Sequence, residues 1–209
     1  MTAGWTTGRA LAAGLAAAAL GTLALRIGLN MENRGQDLGQ AIWGVLRFFT
    51  IWTNALIGLA MLWVALGRRL GASPVSCLAM SIGMVSAVYY AALYHLTRFT
   101  GIDVVIDAMM HAVIPLGLIA YWLAFVDKSA LRYRDALVWQ LYPIAYCAFA
   151  LIRGEVEGRY PYPFIRPPQI GWPAVILNIA VLAAVFVLAG LAVVALGRWM
   201  ARRGGRAAV

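Results

Sequence analysis

The chain has 209 residues, of which 63% are hydrophobic and 12% charged, and its formal net charge is +9. A soluble domain is roughly half apolar and about one quarter charged, so this composition excludes a soluble globular protein and predicts an integral membrane protein. The arginines lie at the ends of apolar segments and form no basic cluster on a soluble face. We therefore expect no nucleic-acid partner, and contact with anionic lipid head groups instead.

Six apolar segments follow one another, each near the ~20 residues that the hydrocarbon core of a bilayer requires. No polar linker is long enough to separate two domains, so residues 1–209 are expected to form a single transmembrane domain. The predicted fold is an all-α bundle of six membrane-spanning helices. Their approximate bounds are 9–29, 44–66, 74–95, 104–126, 137–152 and 172–200.

The first segment is rich in alanine and contains Gly14, Gly21 and Gly28 at a seven-residue spacing. This pattern favours close packing against another helix. A signal peptide is the alternative, but no small-residue cleavage site precedes Arg26, and five further segments follow. We therefore expect the first transmembrane helix here.

The Lys and Arg residues of the connections predict the orientation. With a cytoplasmic N-terminus, ten of them lie on the cytoplasmic side and seven on the other, as the positive-inside rule favours. Both termini are therefore expected in the cytoplasm, in a multi-pass protein of the inner (plasma) membrane. The polar groups of the second, third and fourth segments, and the long connection 153–171, then all lie toward the outer leaflet.

The second segment contains the sequence RFFTIWTN, in which Arg47, Thr50 and Asn54 share one helix face. One interpretation is structural: the hydroxyls of Thr50 and Thr53 bond to their own helix carbonyls, and Asn54 joins two helices. The other is that Thr50 is a nucleophile, which requires a base from another span. The third segment ends at His95, a polar ring at head-group depth and a second choice for that base.

The fourth segment, DVVIDAMMHAVIPLGLIAYW, places Asp103, Asp107 and His111 at successive i, i+4 positions. Pro115 continues this stripe and frees the backbone carbonyl of His111. Ionisable groups within a span indicate a functional site. A neutral His111 can take a hydroxyl proton and return it, and Asp107 can fix its tautomer. A histidine that only hydrogen-bonds a neighbouring helix is the alternative.

The connection after the fifth segment, RGEVEGRYPYPFIRPPQIGWP, is dense in prolines and aromatic residues. This composition predicts a rigid, non-helical lid at the membrane interface. An aromatic belt with turn prolines is the simpler alternative. Under the lid hypothesis, Tyr160, Tyr162 and Phe164 contact the substrate.

No metal or cofactor is expected. Cys77 and Cys147 lie in apolar segments without a CxxC motif, so we interpret them as packing residues. There is no HExxH spacing, P-loop, G-x-S-x-G motif or dinucleotide-binding fingerprint. Nothing in the sequence indicates an oligomeric state.

Three motifs resemble a known family: FFTIWTN in the second segment, MMHAVIP in the fourth, and LIRGEVEGRYPYPF after the fifth. They are similar to those of the bacterial Pr-six-Pr integral membrane proteins. More distantly, they resemble the eukaryotic androgen-induced and androgen-dependent TFPI-regulating proteins. Those relatives are threonine hydrolases of fatty acid esters of hydroxy fatty acids. The resemblance implies that Thr50 and His111 are the functional pair.

The motifs depart from the eukaryotic pattern in two respects. The spacing from His111 to Pro115 is shorter, and Thr53 replaces an acidic residue that follows the threonine, so Thr53 stays an alternative nucleophile. The leading hypothesis is an intramembrane lipid-ester hydrolase with a membrane lipid as substrate. Its catalytic residues are Thr50, His111 and Asp107. Its substrate-binding residues are Arg47, Thr53, Asn54, His95, Tyr160, Tyr162 and Phe164.

In this hypothesis Asn54 or Arg47 stabilises the oxyanion. Two other functions compete with it. The first is a small proton-coupled transporter in which Asp103, Asp107 and His111 relay protons, although no internal repeat is present. The second is a non-catalytic membrane partner protein that uses the YPYPF sequence as a docking surface.

Overall fold

A computed structural model describes residues 3–96 and 98–206, with side chains for residues 6–96 and 98–203. These residues form helices and connections without strands, so the predicted all-α fold class is confirmed. The α-helices are α1 Ala3–Arg34, α2 Leu38–Val45, α3 Phe49–Ala65, α4 Ala72–Val88, α5 Ile102–Ala108, α6 Ile114–Phe125, α7 Tyr133–Val138, α8 Leu141–Glu157 and α9 Pro167–Arg206.

Within the described residues, five helical stretches are long and apolar enough to cross a membrane, and the bent pair α2 and α3 makes a sixth candidate. Outward-facing residues such as Leu116 and Leu188 are each 66% exposed. Such apolar surface is typical of helices that face lipid. The five stretches are Thr6–Arg34, Ala72–Leu96, Ile102–Phe125, Tyr133–Glu157 and Pro167–Arg203.

The second predicted span is not one continuous helix. α2 and α3 meet at an angle of 106°, whereas the sequence predicted an unbroken segment over 44–66. α2 starts as a separate helix, because Asp37 and Gln40 form a capping box at its N-terminus. Phe48 then takes an extended conformation, with φ of −101° and ψ of 134°, before α3 starts. Thr50 therefore lies in the first turn of α3, next to the break.

The connection predicted as a non-helical lid over 153–171 is helical at its two ends, and that prediction is wrong in extent. α8 continues to Glu157, because an ion pair of 2.9 Å between Arg153 and Glu157 bridges its last turn. Gly158 then ends the helix with a left-handed φ of 68°. α9 begins at Pro167, since the first turn of a helix needs no N–H from proline. Residues 158–166 connect the two helices, and a kink at Gly171, with φ of 78° and ψ of 154°, separates the first turn of α9 from the rest of that helix.

Two π-helical turns interrupt the helices near the polar groups. They span Tyr89–Leu93, after α4, and Met109–Val113, between α5 and α6. Pro115 has no N–H to donate to the backbone carbonyl of His111. That carbonyl instead accepts a hydrogen bond of 2.7 Å from the Ser86 hydroxyl. α4 is thereby joined to the turn that holds His111.

α1 packs along α3 through alanines, not through its regularly spaced glycines. A Cβ atom on Gly58 of α3 would lie 2.6 Å from a side-chain atom of Leu20, so the two helices approach closely there. The three glycines of the seven-residue pattern have no atom within 4 Å of where a Cβ would stand. Their predicted role in close packing is wrong, because they lie on the exposed face. The buried alanines are Ala12, Ala16 and Ala19.

Candidate functional site

A cavity of about 560 Å³ lies next to the break between α2 and α3. Its wall is mostly apolar, from α2, α3, α4, α8, α9 and the π turn of residues 109–113, and α1 adds the polar residues Arg26, Asn30 and Arg34. Thr50, Asp107, His111 and Tyr162 are among the polar residues that line it. Pockets for small molecules are commonly apolar and span roughly 300–1,000 Å³, with a few polar groups that orient the ligand. This cavity fits that description.

Thr50 and His111 meet in this cavity, although 61 residues separate them in the chain. The Thr50 Oγ1 atom lies 3.4 Å from Nε2 of His111. This distance is longer than an ideal hydrogen bond, as is common for catalytic pairs without a bound substrate. The structure thus brings the proposed nucleophile and base within reach of each other.

Asp107 holds the other nitrogen of the same ring. Its Oδ1 atom lies 2.9 Å from His111 Nδ1, and its backbone oxygen lies 3.1 Å from the same nitrogen. A tautomer with the proton on Nδ1 donates to these oxygens and leaves the lone pair of Nε2 facing Thr50. The three side chains therefore stand in the order expected of an acid, base and nucleophile.

Tyr89 fixes the plane of the imidazole, and the sequence did not single it out. Its ring stacks on His111 with centroids 3.7 Å apart and planes 10° apart. The Tyr89 hydroxyl lies near the Asp107 carboxylate, although outside ordinary hydrogen-bond geometry. The sequence signal was the spacing of three between Ser86 and Tyr89, which puts both on one face of the third span.

Thr53, in contrast to Thr50, has its hydroxyl buried in the helix packing and hydrogen-bonded there. It is fully buried, and its Oγ1 atom donates to the Phe49 carbonyl at 2.9 Å. The Tyr142 hydroxyl lies 2.9 Å from the same atom. Thr53 does not line the cavity. The back-bonded threonine that the sequence allowed is thus found at Thr53, whereas the Thr50 hydroxyl faces His111.

Asn54 and Arg47 also point away from the cavity. The Asn54 amide donates to the Thr50 carbonyl at 2.8 Å and approaches the Met110 carbonyl at 3.5 Å. Arg47 donates to Glu157 at 2.8 Å. These contacts hold the break and the π turn in place. Neither side chain lines the cavity, where the sequence hypothesis required one of them to stabilise the oxyanion of the substrate.

The remaining predicted residues divide into two groups. Tyr162 and Phe164 line the cavity and stack with ring centroids 5.1 Å apart. His95 is exposed at the end of the third span, and Tyr160 packs on Gly154 and bonds to Glu155; neither lines the cavity.

Asp103 stands apart from Asp107, because it forms an ion pair of 2.9 Å with Arg26 and its side chain is 43% exposed. In the described part of the chain, no group of three His, Cys, Asp or Glu side chains is placed to hold a metal ion.

Comparison of the chain with protein-family models, with curated proteins and with solved structures finds no match. A functional proposal for this protein therefore depends on its residues and on their geometry.

Proposed function

We propose that this protein is a membrane-embedded hydrolase of lipid carboxylic esters. One observation carries the proposal: Thr50, His111 and Asp107 form a continuous chain of polar contacts, 3.4 Å and 2.9 Å long, on the wall of an apolar cavity. A threonine hydroxyl is a weak nucleophile by itself and needs a base within reach. His111 supplies the base, and Asp107 supplies the group that orients it.

In the first half of the reaction, Thr50 Oγ1 attacks the acyl carbon and its proton passes to Nε2 of His111. A carbon–oxygen bond forms, and the carbonyl electron pair moves onto oxygen to give a tetrahedral oxyanion. When the intermediate collapses, the bond to the alcohol oxygen breaks. His111 returns the proton to that oxygen, so the alcohol leaves neutral and Thr50 carries the acyl group.

In the second half, water takes the place of the alcohol. His111 removes a proton from the water as it attacks the acyl-threonine, and then gives that proton to Thr50 Oγ1 as the ester bond breaks. The product is a free fatty acid, and Thr50 is restored. Throughout, the Asp107 carboxylate stabilises the positive charge that His111 acquires between the two transfers.

The substrate class follows from the cavity wall. A pocket whose wall is mostly apolar favours long alkyl chains. The three sequence motifs support the same class, because the eukaryotic proteins that they resemble more distantly are hydrolases of fatty acid esters of hydroxy fatty acids. We therefore include such branched lipid esters among the substrates of this protein.

The proposal includes a topology. With α2 and α3 counted as one bent span, the chain crosses the membrane six times, and both termini lie on the same side. The ten-to-seven distribution of Lys and Arg favours the cytoplasm for that side and a plasma membrane as the location. The cavity then lies toward the outer leaflet, where a lipid reaches it without crossing water.

A proton relay through Asp103, Asp107 and His111 has weaker support. Asp103 is paired with Arg26 on a partly exposed surface and makes no hydrogen bond to Asp107 or His111 among the described contacts. A relay also gives no role to the Thr50 hydroxyl.

The test is labelling with a fluorophosphonate probe, together with hydrolysis of a long-chain ester, in detergent-solubilised protein. Thr50→Val and His111→Gln should abolish labelling and lower the rate of hydrolysis more than ~10³-fold. Thr50→Ser keeps a hydroxyl and should retain part of both. Thr53→Val is the matched control, because it removes a hydroxyl one turn away; it should behave as the wild type.

Peptide mapping should locate the probe on Thr50. A wild-type protein that takes up no probe and cleaves no ester would refute the hydrolase. A probe found on Thr53 would reassign the nucleophile.

A further inference from the structure

The proposed reaction needs a hydrogen-bond donor for the oxyanion, and the two residues chosen from the sequence are engaged elsewhere. The Asn54 amide donates to backbone carbonyls, and Arg47 donates to Glu157. Neither side chain lines the cavity. Removal of one oxyanion donor typically slows an acyl-transfer enzyme by about 10²–10³-fold, so the site should contain another donor.

Tyr162 has the right position for this donor. It lies in the connection between α8 and α9, and it lines the same cavity as Thr50. Its hydroxyl oxygen accepts a hydrogen bond of 3.0 Å from the backbone N–H of Phe49. Phe49 directly precedes Thr50, so this hydrogen bond places the Tyr162 hydroxyl at the first turn of α3. It therefore lies next to the segment that carries Thr50, on the wall of the same cavity.

The Tyr162 hydroxyl has a proton to give. It accepts from Phe49, and this leaves its own hydrogen free to turn toward another acceptor. Burial raises the pKa of Tyr162 above its ordinary value, so the phenol stays protonated. The Tyr146 oxygen is one nearby acceptor, but Tyr146 spends its own proton on the Arg47 carbonyl at 2.6 Å. A charged oxyanion is a stronger acceptor than a neutral phenol.

The beginning of α3 adds a second donor. Thr50 is in the first turn of this helix, where backbone N–H groups have no hydrogen-bond partner within the helix. The Leu46 carbonyl, four residues before Thr50, instead accepts a bond of 2.7 Å from the Trp52 indole. The Thr50 N–H follows directly in the chain on that of Phe49, which donates to the Tyr162 hydroxyl.

We propose that Tyr162 is a further catalytic residue, whose phenol O–H donates a hydrogen bond to the oxyanion, together with the backbone N–H of Thr50. This inference rests on the proposed hydrolase and assigns its missing part. The oxyanion gains two donors as the carbonyl electrons move onto oxygen, and no proton leaves Tyr162. When the intermediate collapses, the oxyanion becomes a neutral carbonyl oxygen again and its hydrogen bonds to both donors weaken.

The experiment compares wild type, Tyr162→Phe and the matched control Tyr142→Phe. The control loses a buried phenol that bonds Thr53 and does not line the cavity. For Tyr162→Phe we expect kcat to fall about 10²-fold while KM stays within ~2-fold, because the donor acts on the oxyanion and not on the substrate. For Tyr142→Phe we expect kcat within ~3-fold of wild type. Thermal unfolding of each variant shows that the fold is retained.

Two inhibitors distinguish catalysis from a structural role. A long-chain trifluoromethyl ketone forms a tetrahedral adduct with the nucleophile, whereas the corresponding methyl ketone binds without one. Tyr162→Phe should weaken the trifluoromethyl ketone by the same factor as it lowers kcat, and should leave the methyl ketone unchanged. If it weakens both equally, Tyr162 only supports the start of α3 and the proposal is overturned.

If Tyr162→Phe does not fold, 3-fluorotyrosine in place of Tyr162 keeps the phenol and supplies a fluorine signal. Its resonance should shift in the trifluoromethyl ketone adduct and stay unchanged with the methyl ketone. An identical resonance in both complexes overturns the proposal. Failure of the hydrolase itself has a different signature: an inactive wild type refutes both proposals, whereas an active wild type with an equally active Tyr162→Phe refutes only the role of Tyr162.

Discussion

Asp107→Asn separates the charge of Asp107 from its orienting effect on His111. The substitution removes the carboxylate charge and keeps the shape of the side chain. The His111 Nδ1 atom retains a second acceptor, the backbone oxygen of residue 107 at 3.1 Å. The amide oxygen of asparagine can replace Oδ1, which lies 2.9 Å from the ring in the wild type. We therefore expect the ring to keep its orientation and its Nδ1 proton.

The size of the effect follows from the charge alone. A hydrogen bond to a charged group contributes about 1.5–3 kcal/mol, and a neutral one about 0.5–1.5 kcal/mol. The substitution then removes about 1–2 kcal/mol of the stabilisation of protonated His111, which corresponds to a fall in kcat of roughly 5- to 30-fold. Where an aspartate alone fixes the histidine tautomer, as in the serine-protease triad, the same change costs about 10⁴-fold. The backbone oxygen accounts for the smaller loss expected here.

The assay is the initial rate of ester hydrolysis as a function of substrate, in one detergent, for wild type and two variants. Asp103→Asn is the control, because it makes the same change one turn earlier, at a side chain that is paired with Arg26 and 43% exposed. It should leave kcat within ~2-fold. A 10⁴-fold loss for Asp107→Asn would show that the backbone oxygen does not hold the tautomer. An unchanged rate would show that Asp107 does not stabilise the imidazolium, and would refute its assigned role.

Two further outcomes are expected. Tyr89→Leu removes the ring stacked 3.7 Å from His111; kcat should fall about 10-fold with little change in KM, and an unchanged kcat would show that the stack does not position the imidazole. Gly58→Val adds atoms where even a Cβ would lie 2.6 Å from Leu20; it should lower the free energy of unfolding by about 1–3 kcal/mol in a denaturation assay. Gly14→Val, in open space on α1, is its control, and equal losses at both positions would contradict the packing described here.

The pairing of Asp107 with His111 was predictable from local spacing, whereas the pairing of Thr50 with His111 came from the family resemblance and the order of the spans. The i, i+4 spacing places Asp107 beside His111 on any regular helix. The cost of polar groups in a span directs them toward the bundle interior. The predicted alternation of spans puts Thr50 and His111 toward the same leaflet. The contact between Thr50 and His111 depends on how the helices pack, which the sequence does not give.

The oxyanion donors were not predictable, because they depend on where helices end. Helical spacing put Arg47 on the face of Thr50, but the chain breaks at Phe48, and the face does not continue across a break. Asn54 does follow Thr50 in α3, but its amide donates to the Thr50 carbonyl. In the same way, the prolines of the YPYPF connection suggested a long loop. They could not reveal that α8 continues to Glu157 and so brings Tyr162, not Tyr160, to the cavity.

The π turn at Met109–Val113 has a consequence for how this span tolerates change. A π turn contains one more residue than the α-helical turn that it replaces. The buried positions Ile106, Met110, Ile114 and Leu118 recur every fourth residue across it, a period that a regular helix of 3.6 residues per turn does not sustain. Deletion of one residue inside the turn would restore an ordinary helix. It would also rotate everything on one side by about 100° relative to the other, so either His111 would leave the cavity or α6 would present its core residues to the lipid.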